Sequence, residues 1–348
     1  LEGGNAVINQ ATFTDNSGPV GAGLAGWASG GTSIDLSDAV FEYNNGYGVF
    51  FSAFAGTFTM NRVDVRFNNG TGLGLSNAVH AVIDGCTFEG NTGGGIDGRN
   101  GSMATITNSS FVDNGAIGSG GAILWVDVTV DNCLFVGNTG PNYGGAIAAT
   151  GSVTNSTFTG NSASVFGGAI SIAGTVTDCV FRENSATFGG GAIHGEGTFT
   201  NILCYDNSAP KGGAIYVDGD TLVLTNATIV NNDASDTGGG IYADDNLVLT
   251  NSIVWNNTAS DGIEIANNGI LSAIDHSLVG GSGGSGAGWD PSIGTDGGGN
   301  VDADPLFGGP PGEELRLSWS SPCVNGGDNS APELLPTDFA GNPRIEDG

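Results

Sequence analysis

The residues with the most chemical potential lie late in the chain. His194 and Glu196, Tyr216 and Asp218, and Tyr242 and Asp244 repeat one arrangement, a ring followed two places later by a carboxylate. Glu264 follows them, with Asp220 and Asp245 close by. If each pair takes the same outward position on successive layers, the rings stack beside a row of carboxylates. Like charges one layer apart repel, so water, a cation or raised pKa values must offset them. Such a stripe suits a polysaccharide or a peptide. Two carboxylates about 5 to 9 Å apart are also what glycoside hydrolysis requires, and Asp218 and Asp244 are the pair to meet that spacing. Lyase chemistry wants a base near the substrate acid, and the stripe has none, since Lys211 falls in the turn before "GGAI" and Arg99 lies several coils away. The plain alternative is that Tyr favours strands and Asp the turns after them.

Other chemistries find less support. His80, His194 and His276 have no zinc-like spacing, and no serine elbow or placed cysteine accompanies them. Asp290, Asp296, Asp302 and Asp304 offer the oxygen ligands that calcium takes from flexible loops. Their spacing matches neither an EF-hand nor a glycine-rich nonapeptide array, and solvated turn aspartates are the competing reading.

What must position the stripe is a repeat. The asparagine closing each "xFxxN" stands at 16, 44, 68, 91, 114, 138, 161, 184, 207, 232 and 257, a spacing of 23 to 28 residues. Three places before it runs a bulky column, including Phe88, Phe111, Phe135 and Phe158, and two further back a small column, including Cys86, Ser109, Cys133 and Ser156. A separation of two puts both on one face of a strand. Five places before the aromatic runs a third apolar column, including Ile83, Ile106, Val130 and Val153. Five is odd, so the chain must bend between them, and the bend falls at Asn108, Asn132, Asn155, Asp178, Asn201, Asn226 and Asn251, residues that tolerate left-handed backbone angles. A further strand follows each "GGAI", whose glycines supply a second corner.

One such unit cannot bury its apolar face alone, whereas stacked units pair strand on strand. The pattern therefore predicts an all-β right-handed parallel β-helix, a solenoid of about 11–12 coils with three strands per coil at about 4.8 Å spacing. It spans residues 1–281, and 282–348 form a loop-rich C-terminal cap in which "ELRLSWSSP" is a closing strand. The repeated asparagines are architecture first, as buried ladders that satisfy the backbone at corners. The Asn-x-Ser/Thr matches at Asn108, Asn155 and Asn226 are by-products of the same column.

Composition narrows the partners. The 348 residues carry 36 Asp plus Glu against 7 Lys plus Arg, a formal net charge of −29. Nucleic acid and anionic lipid surfaces need clustered basic residues, so neither is expected. No apolar run is long enough to span a membrane. The start at Leu1-Glu2 reads as a mature chain or a fragment. The five cysteines are odd in number; Cys86, Cys133, Cys179 and Cys204 read as small buried hydrophobes, a Cys179–Cys204 pair on adjacent coils being the alternative, with Cys323 unassigned.

With "GGAI" and "FxxN" in place, residues 5 to 260 resemble the polymorphic outer-membrane protein repeats of bacterial surface proteins. "VDADPLF" (301–307), "SPCVNGGDN" (321–329) and "TDFAGNPRIEDG" (337–348) resemble the closing segment of secreted bacterial β-helix proteins. The resemblance implies export, a cell-surface or extracellular location, and an adhesive or structural role. The expectation is thus a non-enzymatic surface or fibre rod that binds a polysaccharide or a cell-surface protein. The alternatives are a polysaccharide hydrolase or lyase using the late-coil carboxylates, and a self-assembling filament subunit. No cofactor is expected unless it is calcium.

Overall fold

A computed structural model describes residues 5–18, 23–28, 33–53, 57–269, 272–309 and 315–344. Every regular element among them is a β-strand, and no helix is long and apolar enough to cross a membrane. The chain divides into two compact units, Leu1–Gly174 and Thr175–Gly348.

In the first unit the bulky column becomes seven three-residue strands, from Thr12–Thr14 to Thr157–Thr159, paired in parallel. Phe88, Phe111, Phe135 and Phe158 are register partners, and their rings stack 4.6 to 4.9 Å apart within 7° of parallel. Ile83, Ile106, Val130 and Val153 are likewise in register. The bend between these columns sits where the sequence puts it, with Asn108, Asn132 and Asn155 at φ 51°, 52° and 49°.

The middle coils keep three strands apiece, but the segments that form them differ from the sequence reading. The strand after "GGAI" runs on into the next coil's first strand, as Ile123–Asp131 and Ile147–Thr154. In the second of these the junction holds Gly151, at φ +121°, where a Cβ would lie 2.0 Å from the Val128 carbonyl, and opposite it the register shifts between Leu124 and Asp127. A short extra pairing also forms just after the ladder asparagine, Thr139–Gly140 with Ser162–Ala163. The amides of Thr139 and Ser162 donate to the Asn114 and Asn138 carbonyls one coil back, which turns a corner into a strand.

The second unit repeats the plan. Leu224 pairs with Leu249, and Ile229 with Val254; Ser185–Ala186, Ser208–Lys211 and Asp233–Thr237 form the extra strands. Thr295–Gly298 pairs in parallel with Ala273–Asp275, so stacking persists beyond residue 281. The rest of the C-terminal segment lies along a flank. Val230, Ile253 and Leu278 face outward and are buried by Val301, Phe307, Leu315, Leu317 and Cys323. Asp328 exchanges backbone hydrogen bonds with the Asn251 carboxamide at 2.7 and 3.0 Å, and Arg344 Nη2 donates to Asn201 Oδ1 at 2.9 Å. The expected closing strand is reduced to one antiparallel bridge, Phe307 with Leu317. Glu314 and residues 345–348 of the expected closing segment lie outside the described residues.

Both cores are threaded by a ladder of buried carboxamides. In the first unit each Nδ2 from Asn44 to Asn138 donates to the next Oδ1 at 2.9 to 3.0 Å, and that oxygen also accepts the backbone N–H of the same donor residue. The second proton of each Nδ2 reaches a carbonyl one coil back, Phe88 O for Asn114 and Phe111 O for Asn138. In the second unit the run is Asn184, Asn207, Asn232 and Asn257. Glu264 then ends it, its Oε2 accepting both the amide and the Nδ2 of Asn257. All five cysteines are free thiols, and burial pushes those of Cys86 and Cys133 up to about 11.

Two expectations follow for stability. Asn138→Ala strands the backbone N–H and one Nδ2 proton of Asn114, and at about 1–3 kcal/mol per unsatisfied buried group urea denaturation should show a loss of about 3 kcal/mol or more. A loss below about 1 kcal/mol would remove the ladder from its structural role. Burial raises Glu264 to about 7 from 4.5, against the opposing pull of its bonds from Asn257. An acid whose folded pKa lies above its unfolded one favours folding less as pH climbs between the two values. Glu264→Gln keeps an acceptor without the charge, so it should be more stable than the native chain at pH 8, by at most about 3 kcal/mol. The two should converge near pH 4.5; a difference independent of pH would contradict the assignment.

Candidate functional site

The late-coil residues fall into the register the sequence implies. His194 pairs with Tyr216, and Tyr216 with Tyr242. The two phenol rings stack 5.1 Å apart at 19°, and His194 lies 5.9 Å from Tyr216. Inward neighbours hold them in place, since Ile193, Ile215 and Ile241 are fully buried beneath.

The expectation of exposed rings is corrected. Tyr216 and Tyr242 are only 5% and 6% exposed although they point away from the core. The cover comes from the coil segment before "GGAI", a strand where a turn was expected. Lys211 there sets its Nζ 4.8 Å from the Tyr242 ring centre and 5.6 Å from that of Phe188. Phe188 meets Tyr216 edge-on at 6.5 Å. A lysine in an extended segment lays its stem over neighbouring apolar surface, which turns a row of rings into the floor of a small cluster.

The carboxylates are matched to donors. Asp244 accepts from Tyr216 Oη at 2.7 Å, Tyr242 Oη at 2.9 Å and Asn268 Nδ2 at 3.1 Å. Burial pushes its pKa up, but these bonds together with the charge of Lys211 outweigh it, so it lies below the usual value. Burial, then the bond to Asp244, raises both phenols, Tyr216 the more strongly. Asp218 Oδ1 lies 2.5 Å from His194 Nε2. Glu196 borders Gly219, where a Cβ would come 2.8 Å from Glu196 Oε2. The repulsion foreseen along the carboxylate row is therefore met by hydroxyls, an imidazole, an amide and one ammonium.

Glu264 does not belong to the stripe. Its register partner is Gly240, since Ile265 pairs with Ile241 and Ala266 with Tyr242. It points inward, 8% exposed, and serves the ladder. Phe188, Lys211 and Asn268 are the members that sequence reasoning missed. The chain's one lysine was a usable signal, as its position among aromatic columns asks for a partner.

The four aspartates of the C-terminal segment are not gathered into one site. Asp296 accepts from Gly286 N, Ser285 Oγ, Asn300 Nδ2 and Gly298 N, and the first two of these lead in holding its carboxyl down to about 2. Asp302 takes the amides of Gly281 and Gly283, Asp290 that of Ser292, and Asp304 that of Leu306. Each clamps a turn. Among the described residues no three of His, Cys, Asp and Glu are grouped to hold a metal.

A family model described as "Right handed beta helix region" matches residues 52–192. This agrees with the fold and gives the hand of the coil: the chain is an all-β right-handed parallel β-helix. Such regions occur in adhesins and in polysaccharide-degrading enzymes alike. No curated protein and no solved structure matches the chain.

The hydrogen-bonded cluster carries a spectroscopic signature. In an alkaline absorbance titration Tyr47, Tyr216 and Tyr242 should ionise late, and Asp244→Asn should bring Tyr216 and Tyr242 forward while leaving Tyr47 in place. Tyr216 and Tyr242 unchanged in that variant would mean Asp244 does not hold them.

Proposed function

We propose that this chain is a non-enzymatic, extracellular β-helix scaffold of the kind found in bacterial surface proteins with polymorphic outer-membrane protein-type repeats. In this reading it displays a fixed binding face on its late coils. The observation that carries the reading is the locked state of the cluster. Asp244 is held by three donors and Asp218 by His194, an arrangement suited to presenting a rigid, acidic, hydrogen-bonding rim to a polysaccharide or a surface protein. Binding on such a face loses little side-chain entropy. The rim consists of Phe188, 46% exposed, with Glu196, Asp218 and Asp244.

The second reading, a polysaccharide hydrolase, draws on the short His194–Asp218 contact, since an imidazole–carboxylate pair can hold or move a proton. One experiment separates them. The purified chain is tested on a polysaccharide array with and without calcium, beside Phe188→Ala and Asp218→Asn, and the wells are assayed for released sugar. The scaffold reading expects binding that both variants weaken and no released sugar. Sugar release abolished by Asp218→Asn would establish the enzyme instead, and absence of any binding would end the adhesive reading.

A further inference from the structure

The first unit carries a different surface on the equivalent outward column. Through successive paired coils that column reads Ala25, Phe50, Gly74, Asp97 and Leu124. Phe50 lies 6.0 Å from Trp27 at 51° and meets Tyr47 edge-on at 5.3 Å. Gly74 forms the floor beneath two of these rings, because a Cβ there would stand 2.6 Å from Tyr47 and 2.9 Å from Phe50. One coil further on, Asp97 is only 6% exposed. Arg99 Nε donates to both its carboxylate oxygens at 3.0 and 2.9 Å, while the arginine side chain remains 62% exposed. Tyr47 lies over Gly74, the register partner of Asp97, and burial and then the charge of Asp97 raise its phenol.

Unlike the tyrosines of the late coils, these rings reach solvent, Trp27 being 54% exposed and Tyr47 and Phe50 half-buried. Aromatic faces alone would accept any apolar group, and the ion pair narrows the choice. Asp97 and Arg99 cancel locally, so the site favours a neutral ligand, and a guanidinium has five N–H donors of which the carboxylate engages only some. A ligand must then offer a flat C–H face to the rings and hydroxyls to the rim. Pyranoses with equatorial hydroxyls have that form. Acidic glycans are opposed by the chain's net charge of −29.

We propose that Trp27, Phe50 and Tyr47, together with the Asp97–Arg99 pair, form a binding site for a neutral oligosaccharide of equatorially substituted pyranoses. The site is independent of the late-coil face. The rings supply the stacking surface, and Arg99 supplies directional hydrogen bonds at the rim while Asp97 fixes its guanidinium.

Cellohexaose titrated into the full chain by calorimetry tests this, with Trp27→Ala as the variant. Trp27 is more than half exposed, so its removal should leave the thermal midpoint in place. Hydroxyl-radical footprinting locates the ligand. The expected result is binding that Trp27→Ala weakens about tenfold or more, with oxidation of Trp27 and Tyr47 suppressed by the sugar. Absence of binding, unchanged binding by Trp27→Ala, or protection at Phe188 in place of Trp27 would each overturn the proposal. The last of these would leave the late-coil reading standing, so the two fail separately.

Discussion

A buried carboxamide that donates to one coil and accepts from another is the interaction on which the rest of each unit depends. A corner in the chain leaves backbone amides and carbonyls without strand partners, and leaving them unpaired in a core is expensive. The asparagine column answers this with one side chain per coil. Because every Nδ2 points the same way, the ladder has a direction and an end. In the second unit that end is Glu264, which can only accept when ionised and so closes a row of donors. Gly280 lies against it, where a Cβ would come 2.9 Å from Oε1.

Once inward positions are committed to ladder and apolar stack, chemical variety is confined to outward columns. The same outward column holds Phe50, Gly74 and Asp97 in the first unit and His194, Tyr216 and Tyr242 in the second. The difference is in what covers them. Lys211 and Phe188 close over the tyrosines, whereas Trp27 is left facing solvent. A single scaffold can thus make an internally satisfied acidic rim and an open aromatic surface without any change in its core.

Much of this was legible in the residues. The odd spacing between Ile106 and Phe111 demanded a bend, and Asn108 at φ 51° is that bend. The period-two pairing of Ser109 with Phe111 gave the strand face correctly, both being buried. The cover over Tyr216 and Tyr242 was not legible, because it depends on how Ser208–Lys211 extends, and that extension follows from a backbone hydrogen bond to the coil before, donated by Ser208 N to Asn184 O. Glu264 was misplaced for a related reason: its coil departs from the "GGAI" pattern, and counting alone cannot assign register there. The flank contact of the C-terminal segment did leave a trace. Outward residues of the short strands change from Thr87, Glu89 and Ser110 in the first unit to Val230, Ile253 and Trp255 in the second, and Val230 and Ile253 are buried beneath that segment.

The most direct measurement is residue-resolved native-state hydrogen exchange on the intact chain. The amides of Asn44, Asn68, Asn91 and Asn114 donate to buried side-chain oxygens, so they should exchange only through the largest openings, as slowly as the amides of the phenylalanine strands beside them. Exchange at those asparagines as fast as at the exposed corner residues Asn108 and Asn132 would contradict the claim that the carboxamide ladder holds the coils together.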